Sequence, residues 1–440
     1  MKMNTKGWVS LLLLGSMVPA NATIARLQAL GMDETDNEGS YYIEDNRNIF
    51  LNAGNIHKYA DSLVMEWGDE GNNVPAAGTA SQLATDEITN PKAKGGFLKS
   101  HGDWTYGLYL GNESNTSALL RALATGAAAA AQTGATSGAT NNMLDGSDNQ
   151  LDIFFGKKSS MFDWGVNLVY TKDDNDTGSQ EDHGYAARLG LIGDRWDGFL
   201  NLSLASNSKR TDTLGTVGTV TAGTQINHEF DGKLGIHLGG GYEIQKGMKV
   251  YAMAKKFDWD QKDSVGSYGS TQGQQGTVEG GFLTYAVGLG RVHEFGDSKL
   301  FTNIEYRSTS IEVKFNNRAE AENVEVPLTF GYEVKATEWL TLRGSVRQHL
   351  YGYRKNNNYS SLNVIGSNFA NQVFGADTNN KKVTFDNTTD VNAGMSLPFG
   401  RLVIDGLVGF SGNDGVSDGD EAGVFAADRL LTRVGATYSF

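Results

Sequence analysis

The chain of 440 residues has no cysteine, only 5 prolines and only 7 histidines. The missing thiols exclude disulfide staples, thiolate metal sites and a cysteine nucleophile. Beyond its first residues, no stretch reaches the ~20 apolar residues that a spanning helix needs. Mean hydropathy is only −0.37. A surplus of positive charge is also missing: the formal net charge is −14, which counts against nucleic acid as a partner. The few histidines are scattered along the chain, so no catalytic constellation, metal set or cofactor motif stands out.

What the chain does have begins at its start. Met1 to Ala22 reads as a secretory leader, with Lys2 and Lys6 ahead of the apolar run "WVSLLLLGSMV". Ala20-Asn21-Ala22 supplies an A-x-A-like cleavage site, so residues 1–22 are set aside from the fold.

From Ser62 onward the dominant signal is alternation with period two, the mark of strands with two unlike faces. In "WGVNLVY", Trp164, Val166, Leu168 and Tyr170 share one face and Asn167 takes the other. In "VEVPLTFGYEV", Val324, Val326, Leu328, Phe330, Tyr332 and Val334 oppose Glu325, Thr329 and Glu333. About sixteen such runs are counted, with fourteen as the alternative. They lie near 62–68, 94–100, 104–112, 151–157, 163–172, 183–193, 196–207 and 228–244, then 248–259, 278–294, 299–315, 323–335, 339–354, 383–397, 401–410 and 429–440.

The connections alternate in length. Short turns such as "QKGM", "FGDSK" and "PFG" join one set of hairpins, and long polar stretches near 69–93, 113–150, 208–226, 260–277, 355–382 and 411–428 join the other. Many runs exceed the ~5–6 residues of strands in globular proteins, and their polar faces repeatedly carry ionic groups. Such strands suit a closed cylinder in lipid, the one sheet that leaves no backbone group unpaired. The fold expected is therefore all-β, a transmembrane antiparallel β-barrel over 62–440, preceded by an N-terminal segment at 23–61. Aromatic residues mark the two membrane boundaries: Trp164, Trp196, Trp339 and Phe399 beside tight turns, and Tyr351, Tyr353, Phe257 and Trp259 near the opposite strand ends.

The last eight residues, "RVGATYSF", alternate like a strand and end on an aromatic. With Leu430, Val434, Ala436, Tyr438 and Phe440 on one parity, the terminus resembles that of the outer-membrane β-barrels of Gram-negative bacteria. The resemblance implies short periplasmic turns, long extracellular loops, contact with outer-membrane lipid and lipopolysaccharide, and recognition of Tyr438 and Phe440 by the barrel-assembly machinery. Among sixteen-stranded porins of that family it also implies a homotrimer. Within 23–61, "FLNAGNI" is similar to the Asn-Pro-Ala stretch of fatty-acid-transporter-like barrels, without its proline. That segment is expected to pack at the inner rim, with a plug as the second arrangement.

The function expected is passive diffusion of small hydrophilic solutes and ions through a water-filled lumen. The alternatives are a transporter of hydrophobic substrates and a structural or adhesive barrel. Pore-lining candidates are Asp152, Arg188, Lys233, His237, Glu243, Glu305, Arg307, Glu325, Glu333, Arg343, Arg347, His349 and Arg433, because charge of both signs on a pore wall sets ion preference. The Ala-rich stretch 117–139 is expected to fold inward as a constriction. The acidic loop from Asp173 imitates a calcium loop at Asn175 and Gly178 but has Gly184 where the ligating Glu belongs.

Overall fold

The computed structural model describes residues 23–32, 38–68, 93–112, 150–175, 180–213, 225–265, 275–315, 317–357, 382–384, 389–411 and 433–440. The leader, the 117–139 stretch and residues 176–179 of the acidic loop lie outside them. Eighteen strand runs form one sheet. In order they are β1 (Ser62–Gly68), β2 (Lys94–His101), β3 (Trp104–Leu110), β4 (Gln150–Lys157), β5 (Asp163–Asn175) and β6 (Gln180–Ile192). There follow β7 (Trp196–Thr213), β8 (Gln225–Gly232), β9 (Gly235–Gln245), β10 (Met248–Val265), β11 (Gln275–Phe295) and β12 (Ser298–Phe315). The last six are β13 (Asn317–Thr337), β14 (Leu340–Asn357), β15 (Lys382–Thr384), β16 (Thr389–Phe399), β17 (Leu402–Ser411) and β18 (Arg433–Ser439).

Four of these runs are halves of two interrupted staves. Both β8 and β9 pair with β7 and β10, and both β15 and β16 pair with β14. Eighteen runs thus make sixteen staves, all antiparallel to their neighbours. The cylinder closes where β1 pairs with β18, Ser62 opposite Ser439 and Gly68 opposite Arg433. Closure leaves no free edge, as a sheet in lipid requires. Sixteen, not fourteen, is the count.

The pleat places apolar side chains outside. Met65, Trp67, Leu168, Leu238, Val287 and Phe330 are all exposed, while their neighbours Val64, Glu66, Asn167, His237, Ala286 and Thr329 are buried. On β11, Phe295 and Tyr285 both face out, ten residues apart. That separation rises about 25 Å at ~3.3 Å per residue and ~40° of tilt, the height of a membrane barrel's apolar band. Tight turns close one end. Gly296 and Gly400 take φ of +60 and +65 with open space where a Cβ would stand, the left-handed geometry that glycine enters without strain.

Three expectations change. The strands run further than the alternation suggested: β7 continues to Thr213 and β10 to Val265, through sequence read as loop. Between β12 and β13, Phe315 already pairs with Asn317, so one connection at the long-loop end is short. Phe257 and Trp259 do not form an outer girdle. They share parity with buried Tyr251 and Met253, and Trp259 is fully buried. The Phe257 ring fills the space left by Gly232 and Gly235 at the break between β8 and β9.

Candidate functional site

The barrel interior towards the short-turn end is filled by residues of the 23–61 segment. It contains α1 (Ile24–Ala29), α2 (Asn48–Leu51) and a 3₁₀ turn at Ala53–His57. Such an irregular segment must satisfy its backbone without a ladder, and short polar side chains do this locally. Asn48 accepts from Ser40 N–H at 2.8 Å and donates to the Ile43 carbonyl at 2.8 Å. Asp45 accepts from Arg47 N–H at 2.9 Å. Asn52 caps the 3₁₀ turn, accepting from Gly54 N–H at 3.0 Å.

The wall is shaped to receive this segment. A Cβ at Gly165 would meet the Ala53 carbonyl, one at Gly190 the Asn52 amide, and one at Gly290 the Tyr42 side chain. At Gly394 it would lie 2.6 Å from the Ala29 methyl. Glycine here permits close approach of two backbones. Apolar packing joins the same two partners. Ile49, Phe50, Ile56 and Tyr59 pack on Val64, Leu98, Tyr109 and Phe154. Tyr41 and Leu51 pack on Phe199, Tyr251, Met253 and Ala286, and Leu27, Leu30 and Ile43 pack on Phe301. Tyr41 stacks on Tyr251 at 4.9 Å.

Buried charges complete the contact. Arg26 Nε donates to Glu333 at 2.9 Å and its Nη1 to Asp45 at 3.1 Å. Glu333 also accepts from Arg343 at 2.5 Å, and Arg343 reaches Asp405 at 2.7 Å. On β1, Glu66 takes Arg47 at 3.1 Å and the Tyr109 hydroxyl at 2.6 Å. Glu38 meets His237 at 2.9 Å and Lys255 at 3.3 Å. Burial alone would lower the Arg26 guanidinium, but Glu333 and Asp45 outweigh it and raise it. Burial pushes the Asp45 carboxyl up to about 7 against the pull of Arg26 and the Arg47 N–H. Burial also opposes ionisation of Glu38, yet Lys255 and His237 hold it well below the ordinary carboxylate range.

The sequence-derived candidates fall into four settings. Glu333, Arg343 and His237 bind the inserted segment or its direct partners, as above. Asp152 is fully buried and accepts from Asn167 at 2.8 Å and Arg188 at 2.6 Å, with the Arg188 guanidinium 5.8 Å from the Phe50 ring. Glu305 accepts from Tyr251 and Arg307, both at 2.7 Å, and Glu325 faces His349 at 3.3 Å and Arg347 at 4.0 Å. Arg433 is buried on β18. The remaining two sit elsewhere. Glu243 accepts from Gly247 N–H at 2.8 Å and braces a tight turn. Lys233 stands in the break between β8 and β9, exposed and paired with Asp260 at 2.8 Å, on the parity opposite to inward Trp259 and Gln261. An extra residue at the break turns it away from the lumen.

Arg26, Glu38, Asp45, Arg47 and Glu66 were missed by the sequence reading. The density of charge in "YYIEDNRNIF", ahead of an otherwise regular barrel, was the one available signal. Among the described residues no group of His, Asp and Glu could hold a metal ion, and no helix is long and apolar enough to cross a membrane.

No protein-family model matches the chain, and no curated protein sequence matches it. Among solved structures it is similar to a loop-deletion mutant of OmpT, an outer membrane protein of Vibrio cholerae, at 10% identity and TM-score 0.31, over 68% of this chain and 92% of that one. It is similar to the CymD monoaromatic hydrocarbon channel at 10% identity and TM-score 0.35, over 94% and 96%. It is similar to the copper transporter OprC at 11% identity and TM-score 0.39, over 64% of this chain and 47% of OprC. By its own architecture, a sealed sixteen-stave antiparallel cylinder with an apolar belt, the chain has the channel-like fold of an outer-membrane β-barrel.

Proposed function

We propose that the protein is a gated diffusion channel of the Gram-negative outer membrane. Small hydrophilic solutes and ions pass through it when the 23–61 segment leaves its seat. The observation that carries this reading is the ionic character of the seat: Arg26, Arg47 and Glu38 dock on Glu333, Glu66, His237 and Lys255. A wall bearing Asp152, Arg188, Glu305, Arg307, Glu325 and Arg347 remains polar once that segment is gone, and water wets such a surface readily. On this reading the seated segment closes the lumen, and the channel is gated rather than permanently open. The apolar cavity between Phe50 and the wall at Leu98 and Phe154 holds about 10 Å³, room for about one water and not for an acyl chain. Lipid and lipopolysaccharide around the belt, and the assembly machinery at Tyr438 and Phe440, are the partners this reading carries.

Planar-bilayer recording in a salt gradient tests it. The chain beginning at Thr23 should give small or infrequent conductance steps, and a variant lacking residues 24–58 should give larger, sustained ones. Equal conductance in both, or none in either, overturns the reading.

A further inference from the structure

Thr23 occupies an unusual place. It is buried, with 1% of its surface accessible, and its side chain fills a notch in the wall where Gly435 has none. Gly435 lies directly opposite Glu66 across the closing β1–β18 seam. The next residue, Ile24, donates its backbone N–H to Glu66 Oε1 at 2.7 Å. In extended backbone, successive nitrogens lie ~3.6 Å apart, and Thr23 has ψ of 173°. The nitrogen of Thr23 therefore stands no more than about 6 Å from the same carboxylate oxygen.

That carboxylate has room for another donor. Its Oε2 already takes Arg47 and the Tyr109 hydroxyl, Lys94 adds a nearby positive charge, and among the described residues Oε1 takes Ile24; an ionised carboxylate offers about four acceptor sites. Thr23 Oγ1 is itself buried with no hydrogen-bond partner among the described residues. The pocket is thus furnished for a charged donor at the position of the Thr23 nitrogen, which an amide cannot be.

We infer that the mature amino terminus is a buried ammonium at Thr23, which pairs with Glu66 and pins the inserted segment to the closing seam. The inference rests on the reading that the leader ends at Ala22. Hydrolysis of the Ala22–Thr23 amide by a leader peptidase adds one water, leaving a carboxylate on Ala22 and a free amine on Thr23. That amine takes a proton from solvent at neutral pH. Leader removal then supplies the cation, so processing and seating of the segment are linked chemically.

The test uses protein purified from membranes. N-terminal sequencing should begin at Thr23; any other start overturns the inference while leaving the gating reading intact. The α-amine is then labelled with an amine-reactive ester in folded and in denatured protein and quantified by mass spectrometry. Labelling in the folded state should be slower by about tenfold or more, the factor that one unit of pKa makes in the free-amine fraction. Folded Glu66→Gln, its amine equally buried, should label about tenfold faster than the folded wild type. Should that variant fail to fold, the pH dependence of labelling in the wild type decides, and its midpoint should lie above that of the denatured chain. Equal rates in the two states, or a folded Glu66→Gln that labels no faster than the folded wild type, overturn the ion pair.

Discussion

The backbone N–H of Phe440 donates to the carbonyl of Asp61 at 2.9 Å, so the last residue of the barrel is tied to the residue that leads from the inserted segment into β1. Asp61 has φ of 62°, alone among described non-glycine residues in the left-handed region. Its carboxylate accepts from Lys99 at 2.6 Å and from the Ser100 hydroxyl at 2.5 Å. These hydrogen bonds hold it below the ordinary carboxylate range. Asp61→Ala keeps the strain and loses the anchors, and should lower the resistance of the folded barrel to heat by ~1–2 kcal/mol, the net worth of one or two hydrogen bonds. Asp61→Gly, which relieves the strain, should lose less. The band shift of folded against unfolded protein on heating in detergent reads both, and an unchanged midpoint for Asp61→Ala would show that this corner carries no stability.

Gly165 separates the barrel from its contents. A Cβ there would run into the Ala53 carbonyl, whereas the outer face is untouched. Gly165→Val should therefore leave sheet content and detergent resistance near wild type while costing the seated segment ~1–3 kcal/mol, the usual penalty for overpacking. Single-channel recordings should show more frequent or longer openings, and protease should cut within residues 23–61 more readily. Closed behaviour equal to wild type would mean that the segment tolerates displacement without opening anything.

Arg26 is the cation between two carboxylates of different origin, Asp45 in its own segment and Glu333 on the wall. Glu333 keeps Arg343 when Arg26 is removed, which leaves Asp45 as the uncompensated group. Arg26→Met should weaken seating by ~3–5 kcal/mol, the cost of breaking one side of a buried pair. Arg26→Met combined with Asp45→Asn should recover a large part of it. A double variant as open as the single one would refute this assignment of the cost. Channel open probability reads both.

The barrel was legible because its signal is local. Alternation such as Trp164, Val166, Leu168 and Tyr170 is written in adjacent residues, and the sixteen runs follow it closely. Where a strand gains a residue, parity reverses, and a purely local reading cannot see it: Lys233 changed faces for that reason, whereas Phe257 and Trp259 keep the inward parity of Tyr251 and Met253 along an unbroken β10. The inserted segment was illegible for a different reason. Its contacts are long-range, Arg26 with Glu333 and Tyr41 with His237, and no periodicity precedes them. Charges such as Glu333 read as pore lining because half of each pair lay in a stretch with no recognisable pattern. The glycines at 165, 190 and 290 carried the missing information, since on a barrel wall their spacing means something only when the object filling the notch is known.

Asp45 makes seating depend on pH, and the sign follows from its environment. Burial raises it from the ordinary value of 3.8 to about 7, so between those limits the seated state binds a proton that the released state does not. Stability of seating therefore falls as pH rises through that window and levels off above about 7. One proton gives at most ~1.4 kcal/mol per pH unit, tenfold in the ratio of seated to released. His57 works the other way. Burial lowers its imidazole, so the seated state resists protonation there and loses stability as pH falls below His57's ordinary value. Glu38 and Glu44, both held low, act only at more acidic pH. Comparing wild type with Asp45→Asn cancels all three and isolates the one group. Open probability in the wild type should rise between pH 5 and 7 more steeply than in Asp45→Asn, by up to about tenfold per unit. Parallel profiles would show that Asp45 stays ionised beside Arg26 throughout, and that the ion pair, not burial, controls it.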